Sequence, residues 1–198
     1  LYVDGRAWEM KPVADLTETG HLTFALPAGK KRVCLYFPCD AKMSVKNWNI
    51  EGSFAPVKNP PLSLLWIGDS ITQGYGPLIT SHTFVNVLNR SLGANLLSYG
   101  IGGLAFDAGT VLPIPGYTPD KIVVTLGTNG HQNAGYPEKI VAYFDALTAL
   151  YPKTPILAVT PVWRCDQHYV PDNMEETRQT ILSMGERHPN ITPLDGWY

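Results

Sequence analysis

Ser70 follows a strand-length apolar run, in the order Gly68-Asp69-Ser70-Ile71-Thr72 after Leu62-Ser63-Leu64-Leu65-Trp66-Ile67. Such a run, ending in Gly-Asp-Ser, is typical of a buried parallel strand that delivers a serine into a tight turn. Open α/β sheets place their active sites at this carboxyl edge. Because a serine hydroxyl is a weak nucleophile near neutral pH, its chemistry would also require a general base and hydrogen-bond donors for an oxyanion.

Two further turns could supply those donors, since each follows one of the next two predicted strands. Their sequences are Gly100-Ile101-Gly102-Gly103 and Gly127-Thr128-Asn129. Ser70 would contribute its own backbone N–H, Gly100 a second backbone N–H, and Asn129 its side-chain amide. Removing one donor of an oxyanion hole typically lowers turnover by about 10²–10³-fold. The pattern therefore predicts Ser70, Gly100 and Asn129 as catalytic residues.

The elements that would position these turns alternate between short apolar strands and amphipathic helices. Strands are predicted over residues 62–67, 94–99, 121–126, 155–160 and 191–195. Three helices are predicted between them. The first is capped by Ser81 and stops at Gly93, with an inward face of Phe84, Val87, Leu88 and Leu92. The second starts at Pro137, with an inward face of Ile140, Val141, Phe144 and Leu147, and the third starts with an Asp172/Glu175 capping box ahead of Met174, Ile181 and Met184. This alternation predicts an α/β fold, a three-layer, doubly wound, five-stranded parallel sheet with helices on both faces.

Residues 1–60 have a different pattern, in which short runs alternate apolar and polar residues. The alternating apolar residues are Leu22, Phe24 and Leu26, then Val33, Leu35 and Phe37, then Met43 and Val45, with a phase shift near Lys46 that indicates a bulge. Such runs predict antiparallel strands with one buried face. We therefore predict two domains: a small β-sandwich or jelly-roll-like module over 1–60, ended by a proline-bearing linker, and an α/β domain over 61–198.

Charge and composition disfavour two classes of partner. The formal charge of −2 and the absence of a long apolar run suggest neither a nucleic-acid nor a membrane partner. The three cysteines have no metal-site or disulfide-framework spacing. No leader precedes the predicted folded part, so the compartment stays open, with the cytoplasm favoured. The oligomeric state is not indicated.

The three turns resemble blocks I, II and III of the SGNH (GDSL) hydrolases, and the resemblance covers about residue 62 to the end of the chain. It implies a five-stranded parallel sheet, hydrolysis of esters or acyl groups through an acyl-serine, and no metal or cofactor. The N-terminal module further resembles the accessory domains of carbohydrate-active and natural-product esterases, so acetyl esters of carbohydrates are an expected substrate. Thr72 stands where the Gly-x-Ser-x-Gly elbow of ordinary α/β-hydrolases has its second glycine.

The chain departs from the family at two places. Gly130 stands where an Asp usually follows Asn129, and the Asp-x-x-His block expected after the fifth strand is not found. His188-Pro189-Asn190 resembles part of that block, but it precedes the last predicted strand. We therefore expect the catalytic Asp and His to lie beyond residue 198, and the chain as given to be nearly inactive.

Further predictions concern the other histidines and the loop after the fourth strand. His21 and His82 are expected to be structural, whereas His131 and His168 could reach the site. The residues predicted for a substrate-side wall are Trp163, Gln167 and Tyr169.

Three other functions remain open. An acyltransferase would use the same acyl-serine with an alcohol acceptor, and a non-catalytic ligand-binding module would use the fold without a base. A dinucleotide-binding enzyme is indicated by the Gly-x-Gly-x-x-Ala pattern over residues 100–105, with Asp120 as the ribose contact. However, Asp120 precedes its predicted strand, and no helix is predicted to begin at Gly103.

Overall fold

A five-stranded parallel sheet forms the centre of the molecule. The computed structural model describes residues 1–12, 19–166 and 169–197. In chain order, the sheet strands are β4 (Ser63–Gly68), β5 (Asn95–Gly100), β6 (Lys121–Thr125), β7 (Ile156–Val159) and β8 (Ile191–Leu194). Their spatial order is β5-β4-β6-β7-β8, and all neighbouring pairs are parallel. The predicted fold class is confirmed.

The central strand buries side chains on both of its faces. In β4, Leu65 and Ile67 pack into one hydrophobic cluster, whereas Leu64 and Trp66 pack into another. Successive strand residues point to opposite faces, so a strand that is apolar throughout requires cover on both sides. Within the described residues, four α-helices lie around the sheet: α1 (Ser70–Gln73), α2 (Phe84–Leu92), α3 (Tyr136–Leu150) and α4 (Pro171–Arg187).

The larger cluster lies under α3 and α4. Ile140, Phe144 and Leu147 of α3 are almost completely buried, so the inward face predicted for this helix is confirmed, although Val141 is only half-buried. Met174, Ile181 and Met184 of α4 are also buried.

The ends of the helices differ from the prediction in two places. Thr83, not Ser81, caps α2, because Ser81 lies in a preceding 3₁₀ turn and Thr83 Oγ1 accepts from the Asn86 N–H at 3.4 Å. The Asp172/Glu175 capping box is also wrong. Helix α4 begins at Pro171 after an extended Val170, so Asp172 already lies inside the first turn.

The inward face predicted for α2 is wrong for three of its four residues, since only Phe84 packs against the core. Its buried residue is Val85, whereas Val87, Leu88 and Leu92 are exposed. The helix meets the sheet through its first turn, where the Phe84 ring packs edge-on against Trp66 with ring centroids 5.4 Å apart. Its later turns therefore point away from the core, while Gly93 ends the helix with a φ of +61° as predicted.

The β-sandwich predicted for residues 1–60 is not confirmed. The described part of this segment contains a small antiparallel sheet of three two-residue strands, β1 (Tyr2–Val3), β2 (Arg6–Ala7) and β3 (Val33–Cys34), in the order β2-β1-β3. The runs around Leu22 and Met43 form no strand, so the bulge near Lys46 has no strand pair to interrupt. The alternating side chains lack the opposing sheet that a sandwich needs to bury them, and Leu22, Phe37 and Val45 are about 40% exposed.

None of the described helices combines the length and apolar character needed to cross a membrane.

Candidate active site

The three predicted turns begin side by side at the carboxyl edge of the sheet. Gly68 at the end of β4 is in register with Gly100 on one side and with Thr125 on the other. Gly100 therefore ends β5 level with Gly68, and Ser70 and Asn129 come shortly after the paired ends of β4 and β6, at the edge that the strand pattern predicts.

The first turn is shaped by a chain of hydroxyl hydrogen bonds. Thr72 Oγ1 lies 2.6 Å from Thr125 Oγ1, which donates to the Ile67 carbonyl at 3.3 Å and accepts from Trp66 Nε1 at 3.2 Å. A Cβ at Gly68 would lie 2.0 Å from Thr72 Oγ1, so only glycine leaves room for this hydroxyl. Thr72 thus fastens the short helix α1 to the sheet, and Ser70 is the first residue of that helix.

Asp69 caps α1 from a buried position. Its Oδ1 accepts from the Ile71 N–H at 2.9 Å, and only 1% of the residue is exposed. Its Oδ2 is buried and has no hydrogen-bond partner among the residues that the structure describes. Burial raises the pKa of this carboxyl, while the Ile71 N–H and the positive charge of Arg164 act in the opposite direction.

The second turn is held against the first. The Ile101 N–H donates to the Gly68 carbonyl at 3.0 Å, and the Gly102 N–H donates to Gln73 Oε1 at 2.7 Å. A Cβ at Gly100 would lie 2.3 Å from the backbone nitrogen of Gln73, so this strand end packs directly on the backbone of α1. A Cβ at Gly102 would lie 4.0 Å from the Ser70 Cβ, which brings this turn beside the serine.

The third turn is tied to the segment that follows the second. Asn129 Nδ2 donates to the Leu104 carbonyl at 3.1 Å, and the Tyr136 hydroxyl donates to the Asn129 carbonyl. The same Tyr136 oxygen accepts from the Phe106 N–H at 3.4 Å. Burial raises the pKa of Tyr136 to about 12, so its hydroxyl keeps its proton and remains a donor at neutral pH.

Gly130 stands where the family that the chain resembles usually has an Asp. The local packing requires a glycine at this position. Its φ is +88°, and a Cβ at this position would lie 2.6 Å from Tyr136 Cε2. The ring of Tyr136 therefore occupies the space that a side chain at position 130 would need.

Sequence reasoning missed three residues that join these turns: Gln73, Tyr136 and Arg164. Arg164 Nη1 donates to the Thr128 carbonyl at 2.9 Å and its other Nη pairs with Asp166. Gln73 directly follows the Gly68-Asp69-Ser70-Ile71-Thr72 motif, so its polar side chain was a usable signal. Nothing in the local pattern around Arg164 indicates its contact.

None of the histidines in residues 1–12, 19–166 and 169–197 is hydrogen-bonded to Ser70. His131 is buried, with Nδ1 3.0 Å from the Thr128 carbonyl, and its own carbonyl accepts from Asn173. His82 lies exposed in the 3₁₀ turn before α2, not in the first turn of that helix, and His21 is exposed in the N-terminal segment.

His188 lies at the opposite edge of the sheet. It ends α4 immediately before β8, and its Nε2 is 2.8 Å from Asp145 Oδ1 while Nδ1 is 3.3 Å from Thr148 Oγ1. Asp195 is at the carboxyl edge, but Arg178 and Thr160 bind its carboxylate. The predictions for Gln167 and His168 lie outside the described residues. Within the described residues, no group of three or more His, Cys, Asp or Glu side chains is arranged to hold a metal ion.

The effect of the Asp69 charge on stability can be tested with Asp69→Asn, which keeps an oxygen to accept from the Ile71 N–H and removes the charge. Because the pKa of Asp69 is raised in the folded state, this carboxyl contributes its full stabilisation below its unfolded-state pKa of about 4. The stabilisation is lost as the pH rises through the folded-state pKa. We expect the variant to be at least as stable as the parent at pH 7 by urea unfolding, with the gain shrinking toward pH 4. Asp69→Ala, which also loses the cap, should be less stable than Asp69→Asn by about 1 kcal/mol. A variant less stable than the parent, with the deficit largest at pH 7, would mean that the negative charge is stabilising.

Solved structures with this arrangement of strands and helices include three whose descriptions name an activity. The chain is similar to AlinE4, an SGNH-hydrolase family esterase, with 19% identity over 70% of this chain and 77% of that one and a TM-score of 0.56. It is also similar to the salicylyl-acyltransferase SsfX3 from a tetracycline biosynthetic pathway, with 21% identity over 72% of this chain and 44% of that one and a TM-score of 0.55.

The third is an active site mutant of a family two carbohydrate esterase from Clostridium thermocellum in complex with celluohexase, with 14% identity over 72% of this chain and 55% of that one and a TM-score of 0.54. The chain spans about half the length of the acyltransferase and of the carbohydrate esterase. These likenesses establish a shared fold.

A search of curated protein sequences finds no match to this chain. The model of the GDSL-like lipase/acylhydrolase family matches residues 66–195, which include all three turns and most of the chain. The protein therefore belongs to the GDSL-like lipase/acylhydrolase family.

Proposed function

We propose that this protein is a serine esterase that cleaves small acyl esters, with Ser70 as the nucleophile. The observation that supports this most directly is the register of Gly68 with Gly100 and Thr125, which brings the serine turn beside two donor-bearing turns. The half-buried Ser70 is the first residue of α1, held in place by the Asp69 cap.

In the proposed reaction, Ser70 Oγ attacks the carbonyl carbon of the ester and gives its proton to a general base. The tetrahedral oxyanion accepts hydrogen bonds from the Ser70 N–H, from Gly100 in the second turn, and from the Asn129 side chain. Asn129 Nδ2 has two hydrogens, and the Leu104 carbonyl takes one of them. The alcohol leaves with the proton, and water then releases the acid from the acyl-serine.

The described histidines do not contact Ser70: His188 lies at the other edge of the sheet, and Nδ1 of His131 lies 3.0 Å from the Thr128 carbonyl. We therefore expect slow acylation of Ser70 in this chain, because within the described residues the oxyanion donors act without a base hydrogen-bonded to the serine.

The test is to trap the acyl-serine with p-nitrophenyl acetate. The 198-residue chain, and the longer product of its gene where the gene continues, are incubated with the ester, quenched in acid, digested and analysed by tandem mass spectrometry. We expect acetyl on the peptide that contains Ser70, at a higher rate of formation in the longer protein. Acetylation confined to lysines or to Cys39, with Ser70 unmodified, would contradict the proposal.

An acyltransferase is the second candidate, favoured by the similar fold of the salicylyl-acyltransferase. Release of p-nitrophenol and of acetate can be compared in the presence of a competing alcohol. Equal release indicates hydrolysis, whereas a deficit of acetate matched by a new ester indicates transfer.

A further inference from the structure

Three aromatic side chains form a surface at the same edge of the sheet as Ser70. Trp163 follows β7, Trp197 follows β8, and Tyr169 lies in the loop before α4. We call these three residues the aromatic platform. The ring centroids of Trp163 and Trp197 are 4.3 Å apart with an angle of 31° between the planes, and Tyr169 lies 5.7 Å from Trp163.

The platform is fixed from beneath. Trp197 Nε1 donates to the Pro161 carbonyl at 2.8 Å, and the guanidinium of Arg178 lies 4.9 Å from the centre of the Trp197 ring. Arg178 is itself held by Asp195, with 2.9 Å between Nε and Oδ1. These contacts order the Trp197 side chain in the free protein, so a ligand that stacks on the platform loses less binding free energy to side-chain ordering.

The Trp163 ring of the platform is exposed to solvent. Trp163 is 60% exposed, although its ring is stacked on one side by Trp197. An exposed tryptophan whose ring packs against other aromatic rings is typical of a binding residue, since Trp supplies a large contact area with little loss of rotamer freedom.

Charged groups of both signs follow the exposed ring in the chain. Arg164 and Asp166 follow Trp163 in the chain and form an ion pair, with the Asp166 side chain 48% exposed. A paired guanidinium and carboxylate have no net charge, so they do not favour an anion or a cation. They offer donors and acceptors to hydroxyl groups at the edge of a ring that stacks on Trp163.

We propose that the aromatic platform binds a sugar ring of a neutral oligosaccharide that forms the alcohol part of the ester substrate. A pyranose presents an apolar C–H face and a rim of hydroxyl groups, which matches an exposed aromatic face followed in the chain by the Arg164–Asp166 ion pair. The inference rests on the proposed function for the role of the sugar as a substrate, but the binding itself requires neither Ser70 nor a general base.

The experiment measures binding of cellohexaose and xylohexaose to the 198-residue chain by isothermal titration calorimetry and tryptophan fluorescence. We expect saturable binding of at least one of them, weakened about tenfold or more by Trp163→Ala. Trp163→Phe, which keeps an aromatic face, should retain much of the affinity. The matched control is Trp48→Ala, since Trp48 is 62% exposed in the N-terminal segment and should have no effect.

Separate outcomes judge the platform and the esterase. Oligosaccharide binding that depends on Trp163, with no acylation of Ser70, would support the platform and remove the proposed esterase. Acylation of Ser70 with no saturable oligosaccharide binding, or with equal binding by Trp163→Ala and the parent, would overturn the platform. Binding of salicylate in place of both oligosaccharides would also overturn it, because the occupant would then be an aromatic acyl group.

Discussion

Replacing Ser70 with alanine is expected to lower the hydrolysis of p-nitrophenyl acetate by on the order of 10⁴–10⁶-fold in whichever form of the protein is active. The substitution removes the atom that forms the acyl intermediate. It leaves the oxyanion donors in place, so a residual rate above that in water should remain. The measurement is the initial rate of p-nitrophenol release by the 198-residue chain and by any longer gene product.

The fold should be unaffected by this change. Ser70 Oγ makes no hydrogen bond within the described residues, and the Asp69 cap and the bond from the Gly74 N–H to the Ser70 carbonyl involve neither Oγ nor its proton. A matched control is Ser91→Ala, since Ser91 is an exposed serine whose hydroxyl only contacts the Val87 carbonyl within α2. If Ser70→Ala retains the parent rate while Ser91→Ala does so as well, Ser70 is not the nucleophile.

Replacing Gly100 with alanine is expected to damage both stability and activity. The new Cβ would lie 2.3 Å from Gln73 N and 2.6 Å from the Thr72 carbonyl carbon, and both atoms belong to the backbone of the helix that begins with Ser70. Because a helix backbone cannot rotate away as a side chain can, either β5 or α1 must move. Overpacking of this kind typically costs about 1–3 kcal/mol of stability, and a 1 Å displacement of reacting groups can lower the rate about 10²-fold.

The control is Gly102→Ala, two residues further along the same turn. Its Cβ would meet the side-chain oxygen of Gln73 at 3.2 Å, and that side chain can shift. Urea unfolding should therefore show a clearly larger loss of stability for Gly100→Ala than for Gly102→Ala. Equal stability of Gly100→Ala and the parent would mean that the second turn does not press on α1.

The sheet could be predicted from the sequence because its signal is local. Each strand is a short apolar run, and Leu64 to Ile67 are apolar throughout, which indicates burial on both faces. The contacts that join the turns could not be predicted in the same way. The Gln73 to Gly102 bond spans 29 residues and the Arg164 to Thr128 bond spans 36, and each depends on a side-chain conformation that no short pattern specifies.

The errors have physical causes of the same kind. Alternation in residues 1–60 predicted buried strand faces, but alternation does not reveal whether a second sheet is present to cover them. Helix α2 has an apolar stripe over Val87, Leu88 and Leu92, yet its contact with Trp66 is made by Phe84 at its start. The roles of Ser70, Gly100 and Asn129, and the boundary near residue 60, remain predictions.

The order of the strands distinguishes the three turns by how firmly the sheet holds them. The strand before Ser70 and the strand before Asn129 each have a neighbour on both sides, whereas β5, which leads into Gly100, is at the edge. A change in the length or sequence of the edge turn disturbs one strand pairing, but a change in either of the others disturbs two. At positions that do not pack on α1, a substitution in the turn after β5 should therefore cost less stability than one in the turns after β4 and β6.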